Sequence, residues 1–97
     1  MSGSPADPSI ELEEIRIEIE ALDRLIIELI AQRVELARRS GAAKQAAGLP
    51  TLDPAREAAV VRRACGTARD LGLEDEDVRY IFWHLIGLAR RAQLAGE

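Results

Sequence analysis

The four prolines of this 97-residue chain stand at positions 5, 8, 50 and 54. Proline inside a helix removes a backbone donor and clashes with the preceding turn, so the long proline-free stretches are where helices can run. In the first stretch Ser9 can act as a cap, and Glu11, Glu13 and Glu14 lie in the first turns, where the helix dipole favours acids. Leu12, Ile15, Ile19, Leu22, Ile26, Leu29 and Leu36 then recur at helical spacing. Gly41 sits among alanines, so the helix is predicted to pass through it, reach Gly48 and stop before Pro50. About 38 residues rising about 1.5 Å each make a helix of roughly 57 Å. A compact domain of this length is narrower than that.

The second stretch reads as two shorter helices. Asp53 is an N-cap candidate with Pro54 at the first helical position, and a helix is predicted over 55–69. Asp70-Leu71-Gly72-Leu73 is the turn. A third helix is predicted from about Glu74 to Ala95, with an apolar stripe of Val78, Ile81, Phe82, Leu85, Ala89 and Ala92. The fold class is therefore all-α, with one long helix and two shorter ones. Neither short helix can cover the long one, and residues 25–31 are apolar almost all round. The expectation is that two copies pair along their long helices. A solitary coiled coil fits less well, because clean heptads are not sustained.

Composition narrows the function. The net charge of −4 is unlike that of a nucleic-acid binder, and no apolar run approaches a membrane span. One cysteine, Cys65, forms no internal disulfide, which fits a reducing, cytoplasmic setting. Residues 1–8 read as a disordered leader without signal-peptide features, and residues 9–97 as one helical domain. Neither a metal nor a cofactor site is expected: there is no Ser/His/Asp pattern, and the lone His84 has no partner.

Polar residues interrupt the apolar stripes. Leu22, Ile26, Leu29 and Ile30 lead by three- and four-residue steps to Arg33, and Lys44 lies about three turns further on the same face. Arg16 is rotated roughly 100° from Arg33, so within one chain it serves a different face, whereas in an antiparallel dimer it could reach the partner's pocket. Gln93 continues the apolar stripe of the third helix with an amide. Each also has an ordinary reading: Arg16 and Gln93 as solvated residues, Arg33 as a snorkelling or paired cation, Lys44 as a complement to the helix dipole, Asp53 as a cap, and Arg56 and Glu57 as first-turn surface residues. Together they suggest an aliphatic-walled pocket lined by cations, suited to a small dianion.

Five segments in order carry a resemblance: residues 15–23 (Ile-Arg-Ile-Glu-Ile-Glu-Ala-Leu-Asp), 29–37 (Leu-Ile-Ala-Gln-Arg-Val-Glu-Leu-Ala), Gly41-Ala42-Ala43-Lys44, Asp53-Pro54-Ala55-Arg56-Glu57, and Ile81-Phe82 through Ala92-Gln93. With these spacings the chain resembles the all-helical chorismate mutases of the AroQ class from about Ile10 to Gln93. The resemblance implies an intertwined helical homodimer whose two active sites each draw on both chains. It implies that Arg33 binds one carboxylate of chorismate and the partner chain's Arg16 the other. Lys44 and Gln93 would donate to the ether oxygen, Glu57 would accept from the ring hydroxyl, and Asp53 and Arg56 would complete the polar wall. Ala89 stands where the enteric-type enzymes have a serine, so one hydroxyl contact is lost.

The implied reaction is the cofactor-free [3,3] rearrangement of chorismate to prephenate in aromatic amino acid biosynthesis. Relatives on this scaffold act as isochorismate–pyruvate lyase or 4-amino-4-deoxychorismate mutase, and some short members are stimulated by a partner synthase. The Asp53…Arg56-Glu57 pattern favours the mutase over the lyase but does not choose between hydroxyl- and amino-bearing substrates. The competing class is a non-catalytic helical dimerisation or regulatory module, which leaves the polar interruptions at Arg33, Lys44 and Gln93 unexplained.

Overall fold

The computed structural model describes residues 7–95. Among them there are three α-helices and no strands: α1 (Pro8–Ala46), α2 (Pro54–Asp70) and α3 (Asp75–Leu94). The chain divides into two compact units, Met1–Ala31 and Gln32–Glu97, and α1 belongs to both. Residues 1–6 of the expected leader lie outside the described residues.

The helix ends follow local chemistry. Helix α1 begins two residues earlier than a cap at Ser9 implies, with Pro8 as its first residue, so Pro8 belongs to the helix and not to a leader. Asp7, not Ser9, is the cap: the Asp7 carboxylate accepts from the Ser9 N–H at 2.9 Å, and the Asp7 carbonyl accepts from Glu11 at 3.0 Å. The fixed φ of Pro8 preorganises the first turn and leaves the preceding residue to cap it.

At the other end Gly48 takes a left-handed φ of 69°. Leu49 N–H donates to the Lys44 carbonyl at 2.8 Å, and Gly48 N–H to that of Gln45 at 3.1 Å. This double closure satisfies carbonyls that the helix end leaves open. The same motif ends α2, with Gly72 at φ 76°, Leu73 donating to Ala68 and Gly72 to Arg69.

Helix α2 starts as expected: Pro54 occupies the first turn, and the Asp53 carboxylate accepts from the Arg56 N–H at 3.1 Å. Helix α3 has Asp75, Glu76 and Asp77 in its first turn, where they complement the dipole without a side-chain cap bond.

In the unit 32–97, α2 and α3 pack together. Val60, Val61, Ala64, Cys65 and Ala68 are buried on α2, and Ile86 and Ala92 on α3, with Val61, Cys65 and Ile86 as the central cluster. Ile86 takes a core position absent from the expected stripe, whereas Ile81 is exposed. Helix α3 has enough apolar residues for two faces, and periodicity alone does not say which one meets α2. Gly41, midway through the last turns of α1, is also buried. In the unit 1–31, Ile10, Leu12, Ile15, Ile17, Ile19, Leu22, Leu25, Ile26, Ile27 and Leu29 are all exposed in the single chain.

Candidate active site

Within the unit 32–97 a cleft of about 290 Å³ is lined by one face of each helix. Helix α1 supplies Arg33, Leu36, Ala37, Ser40 and Lys44, spaced by threes and fours as one face requires. Helix α2 supplies Arg56, Glu57, Val60 and Arg63, and α3 supplies Ile86, Ala89 and Gln93. Six of the residues picked out in the sequence therefore line one space: Arg33, Lys44, Arg56, Glu57, Ala89 and Gln93. Asp53 is not among the lining residues, and its carboxylate serves as the α2 cap. Arg16 belongs to the other unit, where it is exposed and lies 4.0 Å from Glu13 one turn away.

Lys44 and Gln93 are joined directly. The Lys44 ammonium donates to Gln93 Oε1 at 2.8 Å and to the Thr51 carbonyl at 2.9 Å. Ammonium only donates, so it fixes which end of the carboxamide faces it and turns the amide N–H₂ the other way. Two of the three Lys44 N–H groups are used in these bonds, which leaves a third. The pair thus presents ammonium and amide donors side by side.

Gly41 explains how α1 and α3 come close enough for this. A Cβ built at Gly41 would lie 2.7 Å from both Gln93 Cα and the Gln93 carbonyl oxygen. Those atoms are backbone and cannot swing aside. Absence of a side chain here is what permits the approach. Further along α1, the Arg33 guanidinium lies 5.9 Å from the centre of the Phe82 ring, within range of a cation–π attraction that restrains a long side chain.

Sequence reading missed Arg90. Its guanidinium clasps Glu57 with two bonds, Nε to Oε2 at 2.8 Å and Nη2 to Oε1 at 2.5 Å. The Arg90 hydrogen bond, reinforced by the charges of Arg90 and Lys44, holds the Glu57 carboxyl below its usual 4.5 against an opposing push from burial and Asp53. Glu57 in turn raises the Arg90 guanidinium. Ser40 and Arg63 were also missed. Each falls seven residues from a residue already singled out, Ser40 after Arg33 and Arg63 after Arg56, and that two-turn spacing was the available signal.

Four cationic side chains and one carboxylate already held by a fifth cation make a cleft for a small anion with more than one negative group. No group of metal-ligating side chains occurs among the described residues, and no described helix is long and apolar enough to cross a membrane. The fold and cleft thus define, among the described residues, an all-helical protein with a cationic cleft. The chain belongs to the chorismate mutase type II family, whose model matches residues 15–94. It is 34% identical over 65 residues to a 4-amino-4-deoxychorismate mutase of Streptomyces venezuelae, covering 67% of this chain and 63% of that protein. It is 43% identical over 51 residues to the T-protein of Haemophilus influenzae, covering 53% of this chain and 14% of that protein. The matched region thus spans less than two thirds of either relative.

Proposed function

We propose that the protein is a chorismate mutase, converting chorismate to prephenate by an intramolecular rearrangement. The observation that carries this reading is the Lys44–Gln93 pair beside Arg33 in one cationic cleft. In the reaction a C–O bond breaks and a C–C bond forms within one molecule. It needs no nucleophile and no net proton transfer. The demands are to hold a flexible dicarboxylate in a compact chair and to stabilise negative charge growing on the ether oxygen. Arg33 supplies a planar two-pronged grip for one carboxylate. The remaining Lys44 N–H and the Gln93 amide supply neighbouring donors for the ether oxygen, preorganised by their mutual bond. Ala89 offers no hydroxyl, so Arg56 and Arg63 are the cations at hand for the rest of the anion.

The second carboxylate calls for Arg16 from another copy. The support is twofold: Arg16 lies on an exposed helical segment, and that segment carries large aliphatic side chains that need a cover. The proposed enzyme is thus an interlocked homodimer with shared sites, a catalytic domain over residues 9–97 and a cytoplasmic setting. A second reading, turnover of 4-amino-4-deoxychorismate, is favoured by the name of the Streptomyces relative.

The test is the fall in chorismate absorbance on adding protein, with product analysis after chorismate, isochorismate and 4-amino-4-deoxychorismate are offered in parallel. Prephenate from chorismate is the expected result. Pyruvate release from isochorismate, or no product at all, overturns the proposal.

A further inference from the structure

Glu57 is the single acid among the residues lining the cleft. Its side chain is 12% exposed, that of Arg90 is 44% exposed, and the two are joined by the double hydrogen bond described above. Arg90 therefore cancels the one negative charge that the cleft could offer a ligand. Arg33, Lys44, Arg56 and Arg63 remain uncompensated within the lining. A carboxylate has about four acceptor positions, of which a clasping guanidinium uses two. Glu57 can still accept from a neutral hydroxyl, yet it has no net charge left to balance an ammonium.

Resting on the reading of the cleft as a mutase site, we propose that Arg90 is a specificity-determining residue, selecting a dicarboxylate whose ring bears an uncharged hydroxyl against an analogue bearing an amine. The amine analogue carries an ammonium at neutral pH. In this cleft that ammonium meets repulsion from nearby cations and loses water without gaining an unmatched anion. Discrimination of this kind works by placing a repulsive element against the wrong ligand. Overall similarity to a protein named for the amino substrate points the opposite way, so the Arg90–Glu57 pair and the relationship make opposed forecasts.

The experiment measures kcat and KM for chorismate and for 4-amino-4-deoxychorismate on the wild-type protein, Arg90→Met and Arg90→Lys, with calorimetric binding of both compounds alongside. Wild type is expected to favour chorismate at least tenfold in kcat/KM. Arg90→Met should shrink that ratio at least tenfold, chiefly through a lower KM for the amino compound, and Arg90→Lys should keep most of it. A merely structural role would depress both substrates alike and leave the ratio unmoved, and that result overturns the proposal. So does a wild-type preference for the amino compound. If Arg90→Met loses its helical circular dichroism, Arg90→Gln is measured in its place.

The catalytic reading fails separately. If neither compound is turned over but chorismate binds at least tenfold more tightly, the selectivity stands and the mutase reading falls. Equal binding, or none, overturns the selectivity as well.

Discussion

At the scale of single residues, the proposed enzyme divides its work between a pair that donates to the substrate and a pair that sets charge. Lys44 and Gln93 are the proposed donors. Replacing either with alanine is expected to lower kcat on the order of a hundredfold or more, the usual cost of losing a preorganised donor aimed at developing negative charge. Steady-state kinetics, with circular dichroism to show an intact fold, checks this. Because an amide donates without titrating, wild-type activity should hold from neutral to mildly alkaline pH; a sharp loss between pH 5 and 7 would contradict the assignment. Glu57 and Arg90 set charge. The folded state lowers the Glu57 carboxyl from 4.5, so its stabilising contribution is present above that value and is lost as the pH falls through the depressed one. Wild type should therefore exceed Glu57→Gln in urea stability at pH 7, and the two should converge on acidification well below 4.5.

At the scale of elements, Gly41 is the position where helix preference and packing disagree. Alanine in an open helix interior is worth about 1 kcal/mol over glycine. Here the added Cβ would meet the Gln93 backbone at 2.7 Å. Gly41→Ala is thus expected to destabilise by about 1–3 kcal/mol, as overpacking does. It should also slow turnover on the order of a hundredfold, because α3 shifts and takes Gln93 with it. A stabilised, fully active variant would refute the close approach. In sequence Gly41 read only as a residue the helix could pass through, since nothing local announces a backbone lying against it.

The same distinction runs through the other elements. The ends of α2 were legible because Asp53, Pro54 and Gly72 act on their immediate neighbours. The α1 start was misplaced by two residues because Asp7 and Ser9 both have capping side chains and only geometry chooses between them. The grouping of Arg33, Lys44, Arg56, Glu57, Ala89 and Gln93 came from the family resemblance together with helical spacing. Arg90 was illegible because its partner lies 33 residues away and Arg91 beside it has the same chemistry. Only the register between α2 and α3 decides which arginine meets Glu57.

At the scale of the molecule, the exposed aliphatic side chains of α1 and the place of Arg16 bear on one assembly. If each site takes Arg33 from one subunit and Arg16 from the other, two inactive variants can rescue one another. Mixing Arg16→Ala with Arg33→Ala and allowing subunits to exchange should restore part of the activity, because one site of each hybrid holds neither substitution. No recovery despite exchange shown by native mass spectrometry would count against shared sites. The length of α1 was readable from its proline-free run, and so was the need for a cover over it. That a second copy supplies the cover is an expectation drawn from that length and from the family resemblance, and the hybrid experiment tests it.

Leu22 is 58% and Ile26 53% exposed in the single chain. Wetting so much hydrocarbon is costly, about 25 cal/mol for each Å² left in water. When association provides the missing cover, melting temperature becomes a function of how much protein is in the tube. Dilution would then lower heat resistance and specific activity together, so a scarce population of this chain would be weaker molecule for molecule than an abundant one.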